Sequence, residues 1–211
     1  MSTPDTTTIS ARPLLPGLGD PVDDAQGIFR ELLMALSRPG IAYRLPNLPA
    51  TPDPLHPATG AVLLTLIDHE TALWLQSPTE ELTAWLRFHC SAPLAVTPAD
   101  AVFAVIDRPL EMPPLAAFAQ GVPEYPDRSA TVIVQVAGFA PDGLRLTGPG
   151  IAREQHVGIN GLPAGFWRTW QDNQARAPLG VDLLFVAGDV VLGLPRSTSV
   201  EIVAEGVQSC M

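Results

Sequence analysis

The chain contains no lysine. All twelve of its cations are arginine, so no side chain offers the ε-amine that an internal Schiff base or a Walker-type phosphate-binding loop requires. Covalent pyridoxal phosphate catalysis and Walker-type nucleotide hydrolysis are thereby excluded. Cysteine is scarce too: Cys90 and Cys210 stand far apart with no ligand pattern around them, which argues against a disulfide framework and a zinc site and makes reduced thiols the expectation. Twelve cations face twenty-two anions, a formal net charge of -10 that does not suit nucleic acid. No apolar run reaches the roughly 20 residues needed to span a bilayer. Met1–Ser10 carries no arginine or lysine of a targeting segment, so a cytoplasmic protein away from membranes is expected.

What is present, 211 residues of which 46% are hydrophobic, suffices for one substantial core. Residues 1–19, with Pro4, Pro13, Pro16, Gly17 and no periodicity, read as an extended or disordered tail before a single domain over 20–211. Asp20-Pro21 opens the clearest helix, with Asp20 as cap and Asp23 and Asp24 at the positive end of the dipole. Val22, Ala25, Ile28, Phe29, Leu32, Leu33 and Leu36 form its apolar stripe. Ser37-Arg38-Pro39-Gly40 must end it, because the residue before a proline avoids the helical region. A short strand over Ile41–Leu45, a proline-rich loop and a helix over Ala58–Ile67, apolar almost all round, follow.

Further along, Ala72–Leu75 reads as a brief strand and Ser77-Pro78-Thr79-Glu80 as a capping box. The helix it starts places Leu82, Trp85, Leu86 and His89 on one face, so His89 is expected to be packed and hydrogen-bonded rather than catalytic. Ala101–Ile106 is a buried strand, and Leu115–Gln120 a short helix closed by Gly121. The stretch around which the rest is organised is Glu124–Val136: Ala130–Val136 is nearly continuous in β-branched residues, as a strand covered on both faces should be. Leu144 and Leu146 alternate like an edge strand before Thr147-Gly148-Pro149-Gly150. That turn is no dinucleotide fingerprint, because Arg153 takes the third glycine position and no amphipathic helix follows. Gly165–Ala175 forms a short helix with Phe166, Trp167 and Trp170 on one side. Val181–Val186 and Val190–Leu194 form a hairpin, and Val200–Val203 a last strand.

Polar residues gather at the corners of this scheme. The candidate substrate-binding set is Arg38, Asp68, His69, Asp127, Arg128, Ser129, Arg196 and Thr198. In a chain without lysine, guanidinium forks are the natural phosphate contacts, and strand ends the natural place for a ligand. At least two of Arg38, Arg128 and Arg196 would then face one crevice. The opposing reading pairs each arginine with a local carboxylate, Arg128 with Asp127 or Glu70, and makes the corner structural. A serine hydrolase built from Ser129 or Ser197 with His69 and Asp68, Glu70 or Asp127 is the alternative chemistry, although no nucleophile elbow surrounds either serine.

Six segments in order, Ser37-Arg38-Pro39-Gly40, Leu66-Ile67-Asp68-His69-Glu70-Thr71, Tyr125-Pro126-Asp127-Arg128-Ser129-Ala130, Leu146-Thr147-Gly148-Pro149-Gly150-Ile151, Pro178-Leu179-Gly180-Val181-Asp182 and Leu194-Pro195-Arg196-Ser197-Thr198, resemble the PhnH family of the bacterial carbon-phosphorus lyase system. The resemblance spans about Asp20 to Ile202. It implies a cytoplasmic, non-catalytic accessory component that assembles with the PhnG, PhnI and PhnJ proteins of that system and is a homodimer alone, with Phe166, Trp167 and Trp170 as candidate interface anchors. In that family's pathway, adenine of ATP is replaced by an alkylphosphonate at the ribose anomeric carbon. PhnI is the catalytic partner, PhnG, PhnH and PhnL are required beside it, and a later iron-sulfur step belongs to PhnJ. The implied fold is an α/β single domain, a mixed sheet with helices on both faces, similar to the large domain of pyridoxal phosphate dependent transferases but without that cofactor. No cofactor is expected, and the missing lysine agrees, since no internal aldimine can form.

Overall fold

The β-branched run after Ser129 becomes a strand in the interior of the main sheet. The computed structural model describes residues 14–203. In chain order the elements are α1 (Asp23–Ser37), β1 (Ala42–Arg44), α2 (Pro57–Leu66), β2 (Leu73–Leu75), α3 (Glu80–Cys90), β3 (Phe103–Ile106), β4 (Gln120–Val122), β5 (Tyr125–Ser129), β6 (Thr131–Gln135), β7 (Gly138–Thr147), β8 (Gln155–Asn160), α4 (Phe166–Gln174), β9 (Asp182–Ala187), β10 (Val190–Leu194) and β11 (Ser199–Ile202). Six strands form the main sheet in the order β1-β10-β9-β6-β3-β2. β2, β3, β6 and β9 are parallel, while β10 is antiparallel to both of its neighbours. Five strands therefore run one way and β10 alone runs back.

Each face of this sheet has its own core. On one side Leu73, Leu75, Val105, Ile133, Leu184, Val186 and Val191 pack against α1, α2 and α3. On the other, Ala104, Ile106, Val132, Val134, Leu183, Phe185 and Leu192 meet α4 and a second sheet of order β11-β7-β8. Adjacent residues of β6 thus enter opposite cores, which is why its sequence lacks a polar alternation. The mixed α/β architecture matches expectation. The second face differs: α4 covers part of it, and the antiparallel sheet most of the rest. β7 is the middle strand of that sheet rather than an edge, and β8 has no counterpart in the sequence reading. Pro141, Gly143 and a register shift between Ala140 and Leu144 give the first half of β7 the look of a loop, and β8 holds few β-branched residues.

Helix starts fall close to where the capping chemistry puts them. Asp20 Oδ1 accepts from the backbone N–H groups of Val22 and Asp23, both at 3.0 Å. The apolar stripe of α1 is narrower than expected, because Ile28, Leu32 and Ala35 are buried while Val22, Phe29 and Leu33 are exposed. α3 is capped by Thr79, whose hydroxyl accepts from Leu82 N at 3.1 Å, and not by Ser77. Leu115–Gln120 yields a single 3-10 turn at Leu115–Ala117 before β4 takes over.

Residues 14–19 of the expected tail are attached to the domain, with Leu15 and Leu18 against the helical core. The Leu15 carbonyl accepts from Trp85 Nε1 at 3.0 Å and lies 3.0 Å from His89 Nε2. His89 also packs tilted against Trp85 and edge-to-face against Phe88, as a packed histidine should. Trp170 is fully buried and Phe166 nearly so, so these two belong to the chain's own core and are not exposed interface anchors. Cys90 is a buried free thiol whose pKa burial pushes up to about 11, whereas Cys210 and residues 1–13 lie outside the described part.

Candidate functional site

The sheet topology puts every expected polar corner at the same end. Arg38 precedes β1, Asp68 and His69 precede β2, and Asp127, Arg128 and Ser129 precede β6. Arg196 follows the reversed β10, so it too arrives at the amino ends of the parallel strands, beside the start of β9. There it forms a fork with Asp182. Nε donates to Asp182 Oδ1 at 3.1 Å, Nη2 donates to Oδ2, and the Arg196 backbone N–H donates to Oδ1 at 2.8 Å. The remaining Nη1 donates to the carbonyls of Pro126 at 3.0 Å and Pro178 at 3.3 Å. One guanidinium thereby ties β5, the loop before β9 and β9 itself together. Planar, bidentate geometry of this kind suits arginine and not lysine. Asp182 lies in one of the six segments, but nothing in the sequence marks it as the partner of Arg196.

The other candidates are not drawn into that fork. Arg128 is exposed and lies over the Tyr125 ring, 4.2 Å from its centroid, rather than on Asp127 or Glu70. Arg38 and Asp127 are also exposed. Asp68 accepts from Thr71 Oγ1 at 2.8 Å and Glu70 N at 2.9 Å. These bonds, the Thr71 hydroxyl first, hold its carboxyl below the usual range. His69 stands largely in solvent, 4.0 Å from Glu70. Ser129 and Thr198 are buried, and Ser129 Oγ and Thr198 Oγ1 have no hydrogen-bond partner. Among the described residues no hydrogen bond joins Ser129 or Ser197 to His69, and β3 stands between β6, which follows Ser129, and β2, which follows His69. The hydrolase triad is therefore not assembled.

Three loops brace this end. A side chain at Gly150 would strike the Ser37 carbonyl, and Gly150 has φ +81°; one at Gly148 would meet Ser197 O at 3.0 Å. The corners at 37–40, 148–150 and 195–198 therefore approach so closely that only glycine fits between their backbones. The motifs are legible as turns from their prolines and glycines, but their mutual contact is not.

The carboxyl ends carry a second polar group that sequence reading misses. Gln135, the last residue of β6, accepts from His56 N at 2.6 Å and Thr59 Oγ1 at 2.8 Å, and donates to Pro54 O at 2.9 Å. It thereby ties the start of α2 to the sheet. Thr79 Oγ1 reaches Asp53 O at 3.4 Å, which brings the start of α3 to the same loop. Ser77 Oγ and His56 Nδ1 are buried without a partner. The Asp107 side chain is 6% exposed, and its nearest cation is Arg108 Nε at 3.9 Å. Burial holds the His56 imidazole below its usual value. The available signal is a strand followed at once by Asp107-Arg108, and in the sequence it reads only as a strand end.

A family model described as bacterial phosphonate metabolism protein (PhnH) matches residues 16–201. The chain belongs to the PhnH family. The matched span takes in both ends of the main sheet and all six segments, in agreement with the resemblance read from the sequence. Two curated relatives extend it. An α-D-ribose 1-methylphosphonate 5-triphosphate synthase subunit PhnH of Rhizobium meliloti (strain 1021) is 40% identical over 185 residues, covering 86% of this chain and 92% of that protein. A putative C-P lyase subunit protein HtxG of Stutzerimonas stutzeri is 36% identical over 179 residues, covering 84% of this chain and 86% of that protein. Among the described residues of this PhnH-family chain, no helix is long and apolar enough to cross a membrane.

Proposed function

We propose that this chain is the PhnH component of the synthase that forms ribose 1-methylphosphonate 5-triphosphate, the opening step of carbon-phosphorus bond cleavage in phosphonate catabolism. The observation that carries the reading is the 40% identity to a protein of that name across almost the whole of both chains. We propose further that it is an accessory, non-catalytic component, working in the cytoplasm with PhnG, PhnI, PhnJ and PhnL and forming a homodimer when alone. What supports the accessory role is the economy of the amino-end corner, where Arg196 is consumed by Asp182 and two backbone carbonyls and the serine and histidine candidates stand apart. Within this reading Arg38 and Arg128, whose side chains are exposed, are the arginines of that end available to a phosphorylated substrate or a partner. The finer likeness to the large domain of pyridoxal phosphate dependent transferases is likewise our proposal. A mostly parallel sheet with helices packed against it supports it.

Coexpression tests the assembly. With affinity-tagged PhnJ and untagged PhnG and PhnI, the chain should be retained in stoichiometric amount through gel filtration. Its repeated loss to the flow-through, with PhnG and PhnI retained, refutes the role.

A further inference from the structure

The β4–β5 hairpin is an arm that the chain braces without using it to cover itself. Among the described residues, β4 and β5 pair with each other and with no other strand, and no side chain of 120–129 joins either hydrophobic core. A two-stranded hairpin alone is marginal in water. This one is fixed at its base instead. Ala130 N donates to Ala119 O at 2.8 Å, Gly180 N to Gln120 O at 2.9 Å, and Arg196 Nη1 to Pro126 O at 3.0 Å. A side chain at Gly121, φ +75°, would stand 2.8 Å from that same Pro126 carbonyl, so glycine is what lets the two strands close. Beyond the base the arm ends in the cross-strand pair Val122 and Tyr125, 46% and 50% exposed, joined by the turn Pro123-Glu124. The Arg128 guanidinium lies over the Tyr125 ring. Tyrosine and arginine are the residue types that dominate binding hot spots.

Beside the arm lies a groove between α4 and the turn at 112–116. It holds two cavities of about 210 and 240 Å³ that share Pro114, Leu115 and Thr169. Benzene fits a cavity of about 150 Å³, so either has room for a tyrosine ring. The first cavity reaches Gln120, where β4 begins, and is lined by Asp172 and Arg176, one helical turn apart on α4. Arg176 makes only a 3.5 Å bond to Gln120 Oε1, and neither Asp172 nor Glu124 has an ion pair among the described residues. The tip of the arm carries the opposite charges, with Glu124 next to Tyr125 and Arg128 over its ring. We infer that the arm of one copy of this chain docks in the groove of a second copy. Tyr125 fills the first cavity, Glu124 meets the partner's Arg176, and Arg128 meets the partner's Asp172. A second copy is the occupant because both halves of the complementary set belong to this one chain. Arm and groove adjoin at Gln120, so one two-fold axis makes both contacts at once, as an isologous interface requires. The inference rests on the homodimer of the proposed function and gives it a place.

The test is analytical ultracentrifugation of the full-length chain. The parent should sediment as a dimer. Tyr125→Ala should raise the dissociation constant at least about 10-fold. Glu124→Arg and Arg176→Glu, each of which sets like charges together twice per dimer, should raise it about 100-fold or more. Glu124→Arg chains mixed with Arg176→Glu chains should form a dimer again, because both contacts then regain opposite signs. A variant that had merely lost its fold could not be rescued in this way. A dimer indifferent to both reversals, or two reversal chains that stay apart when mixed, would overturn this interface and leave the homodimer standing. A parent chain that is monomeric at every concentration would overturn both. Loss of the parent from the assembly with tagged PhnJ, with the charge rescue intact, would refute the synthase role alone.

Discussion

The two ends of the main sheet solve the same physical problem in opposite ways. At the amino ends the charged groups find partners inside the chain, with Arg196 meeting Asp182 through a fork and two further carbonyls. At the carboxyl ends Asp107 is more buried than Asp182 yet makes no hydrogen bond. A satisfied charge cluster holds chain segments in place, whereas a buried polar group without a hydrogen bond costs stability. The conspicuous arginine motifs therefore mark the structural end, at least where Arg196 is concerned. At the carboxyl ends Ser77 Oγ is unpartnered and Asp107 has only the guanidinium of Arg108, 3.9 Å away.

The largest effect that could break this comparison comes from removing the arginine of the fork. Arg196→Ala leaves Asp182, which is 24% exposed, without its counter-charge and strands the carbonyls of Pro126 and Pro178. Loss of one partner of a buried pair costs about 3 to 5 kcal/mol, and partial exposure puts this case near the lower bound. In a domain of this size that lowers Tm by roughly 6–12 °C, to be read by calorimetry. An unchanged Tm would mean that the fork is ornamental and that the two ends do not differ as argued.

A smaller effect concerns the unpartnered hydroxyls, which both ends possess. Thr198 is fully buried beside the fork and its Oγ1 bonds nothing. Thr198→Val keeps the shape and removes an unsatisfied group, so it should raise the unfolding free energy by about 1 kcal/mol, measured by urea denaturation. A loss of similar size would show that the hydroxyl has a partner after all, and the amino end would then resemble the carboxyl end.

How much of this is legible in the sequence depends on the range of the interaction. Asp20, Gly40, Thr79 and the β9–β10 hairpin act over a few residues, and their signals can be read in order along the chain. The β6 run is readable because burial on both faces leaves a compositional mark. The second sheet is not, since β7 bends at Gly143 and β8 takes its stability from pairing rather than from its own composition. Asp182 and Arg196 are fourteen residues apart, and nothing local ties them. Ser77 resembles a cap because Ser77-Pro78-Thr79-Glu80 meets the capping-box pattern, whereas the actual cap is the second hydroxyl, Thr79, which has Leu82 and no acid three residues on.

The carboxyl end should also reveal itself through pH. Burial holds the His56 imidazole below its unfolded value of about 6.5. Below about pH 6.5 the unfolded chain then binds a proton that the folded chain does not, so stability falls as pH drops through that region. His56→Gln should flatten the slope of unfolding free energy against pH between about 6.5 and 5.5, leaving the values above pH 7.5 parallel to the parent. An identical slope in the variant would place the imidazole in a more open environment.

The smallest effect on folding is expected at Arg128, and it sharpens the comparison most. Its guanidinium lies over Tyr125 at the surface of the β4–β5 hairpin, a contact worth roughly 0.5 to 1 kcal/mol at an exposed site. Arg128→Ala should therefore shift Tm by no more than about 4 °C. If this arginine meets a phosphorylated substrate, as the proposed function allows, the same variant within an intact assembly should lose about 10- to 100-fold in activity on methylphosphonate, the range for a charge-assisted contact. The two readouts are separable because Arg128 supports neither of the sheet's cores. Full activity in an assembled complex would confine Arg128 to its contact with Tyr125 and rule it out as a phosphate contact. Lost activity with an unshifted Tm would instead give the amino end a functional face outside its structural fork, with Arg196 bracing the backbone from which Arg128 projects.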